Sequence, residues 1–148
     1  MFTENIKTLG TLDIVLTDEH GNVKESFKVP NLVVTTGRNY ITNRMRSNAN
    51  AVMSHMAIGT NSEAAALGNV SLGTETARVA FTSNTILANT ITYSASFPAG
   101  TPSTANAITE AGIFNASSGG EMLCRSVFSV VNKGTLDTLS ITWSVSNS

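Results

Sequence analysis

The run TLSITWSV, from Thr138 to Val145, alternates without a break. Leu139, Ile141, Trp143 and Val145 fall on one side, and Thr138, Ser140, Thr142 and Ser144 on the other. A period of two puts successive side chains on opposite faces of a pleated chain, so the run predicts a strand with an apolar inner face and a hydroxyl outer face. Trp143, in register with three aliphatic residues, reads as core and not as an exposed platform for a ligand.

The same period recurs outward from this run. TLDIVL (Thr11–Leu16) alternates Leu12, Ile14 and Leu16, and VKESFKV (Val23–Val29) alternates Phe27 and Val29 against Lys24, Ser26 and Lys28. Between them DEHGN (Asp18–Asn22) offers Gly and Asn where a positive φ is cheap, which predicts a hairpin ended by Pro30 and Asn31. AVMSHMAIG (Ala51–Gly59), TARVAF (Thr76–Phe81), TITYSASF (Thr90–Phe97), AITEAGIF (Ala107–Phe114) and EMLCRSVFSVV (Glu121–Val131) complete the set of strands. TSNT (Thr82–Thr85), PAGTPSTAN, NASSGG and NKGTLD read as turns and loops, and TNSEAAALGNVSLGTE (Thr60–Glu75) as a long connection. One short helix is predicted in TTGRNYITNRM, with Thr36 as its cap and Tyr40, Ile41 and Met45 on one side. The expectation is one all-β domain over residues 1–148, an antiparallel β-sandwich or jelly-roll-like barrel of about eight strands with one short helix.

Composition agrees. Charged residues are 13% of the 148 and hydrophobic residues 41%, while Ser, Thr and Asn supply about a third of the chain, a bias toward strands and turns. A net charge of −1 without a basic stripe argues against nucleic acid as a partner. No apolar run reaches the ~18 residues of a membrane-spanning helix, and the first residues lack a secretory leader pattern, so synthesis in a reducing cytoplasm is expected. The single cysteine, Cys124, excludes an intrachain disulfide and reads as a small buried hydrophobe.

No catalytic chemistry is legible. His20 sits in the hairpin turn and His55 in a strand, neither within a metal or protease motif. There is no nucleophile elbow and no phosphate-cradling loop, and TDEHGN lacks the spacing of a calcium loop. No catalytic, cofactor-binding or metal-binding residue is assigned, and the expected function is non-enzymatic. Glu110, the one acid inside an apolar strand, reads as a structural group sharing a face with Ile108, Gly112 and Phe114. A buried carboxylate needs donors or a cation, and Arg78 and Arg125 are the available partners. Gly112 reads as a bulge or a place of close approach.

The segment ITEAGIFNASSGGEMLCRSVFSVVNKGTLDTLSITWSV, together with LTDEHGNVKESFKVPNLVVTTGRNYITNRM and MAIGT followed by ETAR, resembles small virion structural proteins of tailed bacteriophages. The ITEAGIF strand also resembles a motif of tail-collar and tail-fibre attachment modules. The resemblance implies a structural protein of the virion, in the first place a capsid decoration (cement) protein on the outer head surface, with the major capsid protein lattice as partner. A tail adaptor or tail-fibre attachment protein is the alternative. A carbohydrate-binding β-sandwich is a further reading, disfavoured by only 6% aromatics.

Two expectations concern contacts. Residues 1–10 carry Phe2 and Ile6 ahead of the first periodic strand, an apolar pair that either tucks onto its own core or lies on a neighbour as a docking arm. A sandwich with few charges and three prolines needs its strand edges covered, so a homotrimer is expected, matching the threefold positions of a capsid lattice.

Overall fold

The structure, a computed structural model, describes residues 4–148. Ten strands form two antiparallel sheets. The first sheet contains β1 (Thr8–Thr17), β2 (Val23–Pro30), β6 (Ser83–Leu87), β7 (Thr90–Phe97) and β10 (Thr138–Asn147), in the order β2-β1-β10-β7-β6. The second contains β3 (Leu32–Val33), β4 (His55–Gly59), β5 (Glu75–Ala80), β8 (Asn106–Phe114) and β9 (Met122–Lys133), in the order β3-β9-β8-β4-β5. One helix, α1 (Thr35–Arg46), links β3 to β4. The sheets stack as a sandwich, and the chain crosses between them after β2, β5, β7 and β9.

Cross-strand register builds the core. Leu12, Trp143 and Tyr93 lie in one row across β1, β10 and β7. Ile14, Ile141 and Ala95 form the next row, and Leu16, Leu139 and Phe97 the third. All nine belong to the core cluster, which Met56, Ile58, Ile108, Ala111, Ile113, Cys124 and Val131 complete from the other sheet. Each large apolar side chain so enclosed contributes about 1.5–3 kcal/mol over leaving it in water. Phe27 of β2 meets Phe128 of β9 at 6.1 Å between ring centroids and closes one side. Phe81 meets Tyr93 at 4.6 Å and closes the other.

The expected all-β sandwich with one short helix forms, and four details differ. Ten strands form where about eight were expected: β3 is too short to show a period, and β6 occupies part of the expected turn TSNT. All five β6 residues are exposed, so no inner face marked it in the sequence. Second, Ile108 does not share a face with Glu110. Pairing with β9 shifts register between Ile108 and Glu110. The inward set therefore passes from Ile108 to Ala111 and Ile113, while Phe114 joins a separate outer cluster with Val34, Ala57, Leu72 and Met122. Third, Thr36 does not cap α1: the N-cap is Val34, with no side-chain bond, and the Thr36 hydroxyl donates to the Met122 carbonyl at 3.0 Å. Fourth, the inner face of α1 is Gly37, Tyr40 and Ile41, with Met45 left 85% exposed. Gly37 is required here, because a Cβ would lie 1.9 Å from the Leu123 carbonyl oxygen.

Candidate functional site

Glu110 is fully buried on the outer face of the second sheet. Its Oε1 accepts from the Gly73 amide at 2.7 Å, and its Oε2 from the amides of Asn61 at 2.8 Å and Thr74 at 3.1 Å. The Arg125 Nε lies 3.5 Å from Oε1, and Arg125 Nη1 donates to the Asn69 side-chain oxygen at 3.0 Å. Asn61, Asn69, Gly73 and Thr74 all belong to the Thr60–Thr74 connection, whose ends meet through Thr60 N–H to Thr74 C=O at 3.0 Å. A compact loop with touching ends is an Ω-loop, and Glu110 clamps its neck. Gly59 makes room, since a Cβ there would lie 2.3 Å from the Thr74 carbonyl oxygen. Leu72 of the loop packs into the outer apolar cluster. The carboxylate has its oxygens committed to the fold, and the arrangement positions backbone without a reacting centre.

Arg78 is not a partner of Glu110. It forks onto Glu75 at 2.7 and 2.9 Å, donates to the carbonyls of Ala116 and Gly119, and lies 3.8 Å over the Phe114 ring. The reason is strand order. Arg78, Ala57, Gly112 and Arg125 occupy one row across β5, β4, β8 and β9, which leaves Arg78 two strands from Glu110's own. Gly112 keeps this row low under the loop: a Cβ there would meet Leu72 at 3.0 Å, Phe114 at 3.1 Å and Met122 at 3.3 Å. Gly112 is thus a close approach, and the register shift lies before it.

The other singled-out residues are quickly placed. Trp143 is fully buried, and its indole N–H finds no acceptor among the described residues. Cys124 is buried, which pushes its thiol well above the usual range and makes it a poor nucleophile. His55 Nδ1 lies 2.7 Å from the Ser54 hydroxyl. His20 lies in the exposed hairpin turn, where Asp18 accepts from the His20 and Asn22 amides at 2.9 Å. Among the described residues no group of three His, Cys, Asp or Glu could hold a metal. No helix of the structure is long and apolar enough to cross a membrane.

Two features carried no sequence expectation. Lys133 is buried and crosses the sandwich, donating to Pro98 C=O at 3.1 Å and Asp137 C=O at 2.8 Å. Burial lowers its ammonium's affinity for a proton. Asp137 in turn holds Lys24 at 2.9 Å and the Gly134 amide at 2.7 Å, which ties the β9–β10 turn to β2.

The second feature is an open apolar groove at the opposite end. Its walls come from Tyr40 and Ile41 of α1, Leu123 of β9, and Ile86, Ile91, Tyr93 and Val145 of the first sheet, around a cavity of about 260 Å³. Burial pushes the Tyr93 phenol up to about 12, so its floor is neutral at ordinary pH. Ile86 and Leu87 stand 75% and 81% exposed at the rim on β6, a sheet edge. The rim also contains Ala88, the only non-glycine residue with positive φ (53°) among the described residues. Strained backbone persists only where the surroundings enforce it and clusters at functional places. A second hollow, lined by Ile6, Lys7, Thr8, Leu9, Arg38, Ile41 and Thr42, shares Thr8 and Ile41 with the groove. Ile6 of the expected docking arm therefore lies beside the groove, while Phe2 lies outside the described residues. The run Leu87-Ala88-Asn89 between two Thr-Ile pairs, with Asn89 as its turn residue, was the available signal for the β6–β7 hairpin, and it hid behind the earlier TSNT.

No protein-family model, no curated protein and no solved structure matches this chain.

Proposed function

We propose that this protein is a non-enzymatic structural component of a tailed-bacteriophage particle, a decoration protein that binds the outer surface of the head as a homotrimer. The observation that carries the reading is the role of the ITEAGIF strand. Its one acid is spent on clamping an Ω-loop, with three backbone amides and Arg125 as partners. The motif that resembles virion proteins is thus a building device in this chain. Exposed apolar side chains at the α1 end, Ile6, Ile86 and Leu87, support docking to other protein surfaces. The face of the first sheet opposite the core carries Ser and Thr at Ser140, Thr142 and Ser144, which suits a wet contact in which many weak copies add up.

The ITEAGIF motif equally supports a tail adaptor or tail-fibre attachment protein, and copy number separates the two. Imaging of whole particles, with the stoichiometry to the major shell protein, is the test. Abundance comparable with the shell protein supports decoration. A few copies at the tail support the alternative. Absence from purified particles overturns both. The sugar-binding reading loses its best platform with Trp143 buried.

A further inference from the structure

We propose that the N-terminal arm of one copy docks into the apolar groove of a second copy, with Phe2 seated in the groove and Glu4 paired with Arg38. The inference rests on the self-association part of the proposed function and on nothing in its virion part.

The arm starts where the sheet ends. Lys7 and Ser148 exchange backbone hydrogen bonds of 3.1 and 2.9 Å, extending the β1–β10 pairing by one residue pair. Glu4, Asn5, Ile6 and Lys7 are all exposed, with Ile6 76% open to solvent, and Ile6 and Lys7 flank α1 across the Arg38 hollow without being buried against it. Three residues, Met1, Phe2 and Thr3, precede Glu4. In an extended chain Phe2, Glu4 and Ile6 share one face with about 6.6 Å between neighbours. The arm thus presents an apolar, acidic, apolar series.

The receiving surface carries the complement. The groove of about 260 Å³ is larger than the ~150 Å³ apolar cavity that accepts a benzene ring. Adjoining it, Arg38 on α1 is exposed and lies in no ion pair among the described residues. The groove and the Arg38 hollow are adjacent and share Thr8 and Ile41 among their lining residues, so one extended segment running over these two residues would reach both. The rim strand β6 has one side unpaired, and an arriving strand supplies partners to such an edge. Because each copy both gives an arm and offers a groove, the exchange closes into a finite assembly, reciprocally in a pair or head-to-tail in a ring, and the ring of three is the form that matches the proposed homotrimer.

The test is sedimentation of the full chain and four variants at several concentrations, with melting temperature measured alongside. The wild type is expected to associate, and deletion of residues 2–6 to give a monomer with an unchanged melting temperature. Phe2→Ala is expected to weaken association by about tenfold or more, as loss of a central aromatic anchor does. Arg38→Glu and Glu4→Arg are each expected to weaken association, and an equimolar mixture of the two to recover it in part, since two of the three contacts in a mixed ring pair opposite charges and the third does not. A monomeric wild type overturns the proposal. So does an arm-deleted protein that still associates, which would place the contact on another surface while leaving the virion reading intact. A Phe2→Ala variant that melts lower without a change in association also overturns it, because the arm would then fill its own groove.

Discussion

Glu110 and Arg125 approach to 3.5 Å on neighbouring strands, both sealed from solvent, and the loop they hold lies across them like a lid. The carboxylate is not a simple half of an ion pair. Three backbone amides share its charge, and the Arg125 Nε makes no well-formed hydrogen bond. The pair therefore exists to hold Asn61, Asn69, Gly73 and Thr74 in place.

Glu110→Ala leaves the Arg125 charge uncompensated and three amides without their acceptor, and is expected to cost about 3–5 kcal/mol, the usual loss on breaking a buried pair. Glu110→Gln is expected to cost nearly as much. Its single carbonyl serves one side, while its amide N–H₂ faces donors on the other. Adding Arg125→Met to Glu110→Ala should recover part of the loss, because the unpaired charge is gone. Urea unfolding of the wild type, Glu110→Ala, Arg125→Met and the double variant checks the cycle, and strict additivity would show that the two groups do not interact.

Trp143→Ala should destabilise by about 3–5 kcal/mol, since it empties the row between Leu12 and Tyr93. Trp143→Phe should cost clearly less. The indole N–H has no acceptor among the described residues, so Phe loses volume but no hydrogen bond. A loss for Trp143→Phe as large as that for Trp143→Ala would show that the volume filling this row does not set the cost.

Ala88→Gly should stabilise the protein by up to about 1 kcal/mol, because Ala pays a steric cost at φ 53° that Gly avoids. Ala88→Val should do the reverse and more strongly. Thermal melts of both, with sedimentation to separate folding from association, decide it.

Acid should weaken the β9–β10 turn. The Lys24 ammonium and the Gly134 amide hold the Asp137 carboxyl below its ordinary value of 3.8. A depressed folded value means that the unfolded chain binds the proton more readily. The contribution of Asp137 is complete above 3.8 and is lost as pH falls through the folded value. Asp137→Asn should therefore lose stability at neutral pH and show a shallower further loss between about pH 5 and 2. Parallel acid curves for the variant and the wild type would remove Asp137 from the account.

The period-two runs determined the strands and their inner faces by themselves. Leu139, Ile141 and Trp143, or Leu12, Ile14 and Leu16, need only the pleat and the hydrophobic effect to declare which side is buried. The Asp18–Asn22 turn was legible for the same local reason, since the Asp18 carboxylate and Gly21 act within five residues. What needed the tertiary structure was every question of neighbours. Both arginines were readable as partners for Glu110, but strand order seats Arg125 beside it and puts Arg78 beyond β4, over Phe114. The register shift that turns Ile108 inward and Glu110 outward depends on pairing with β9, which no local pattern encodes. Met45 follows the helical period yet stays exposed, because only the first turns of α1 reach β9. The groove is the plainest case: Tyr40, Leu123, Ile86 and Val145 come from four elements far apart in the chain, and only packing brings them to one end.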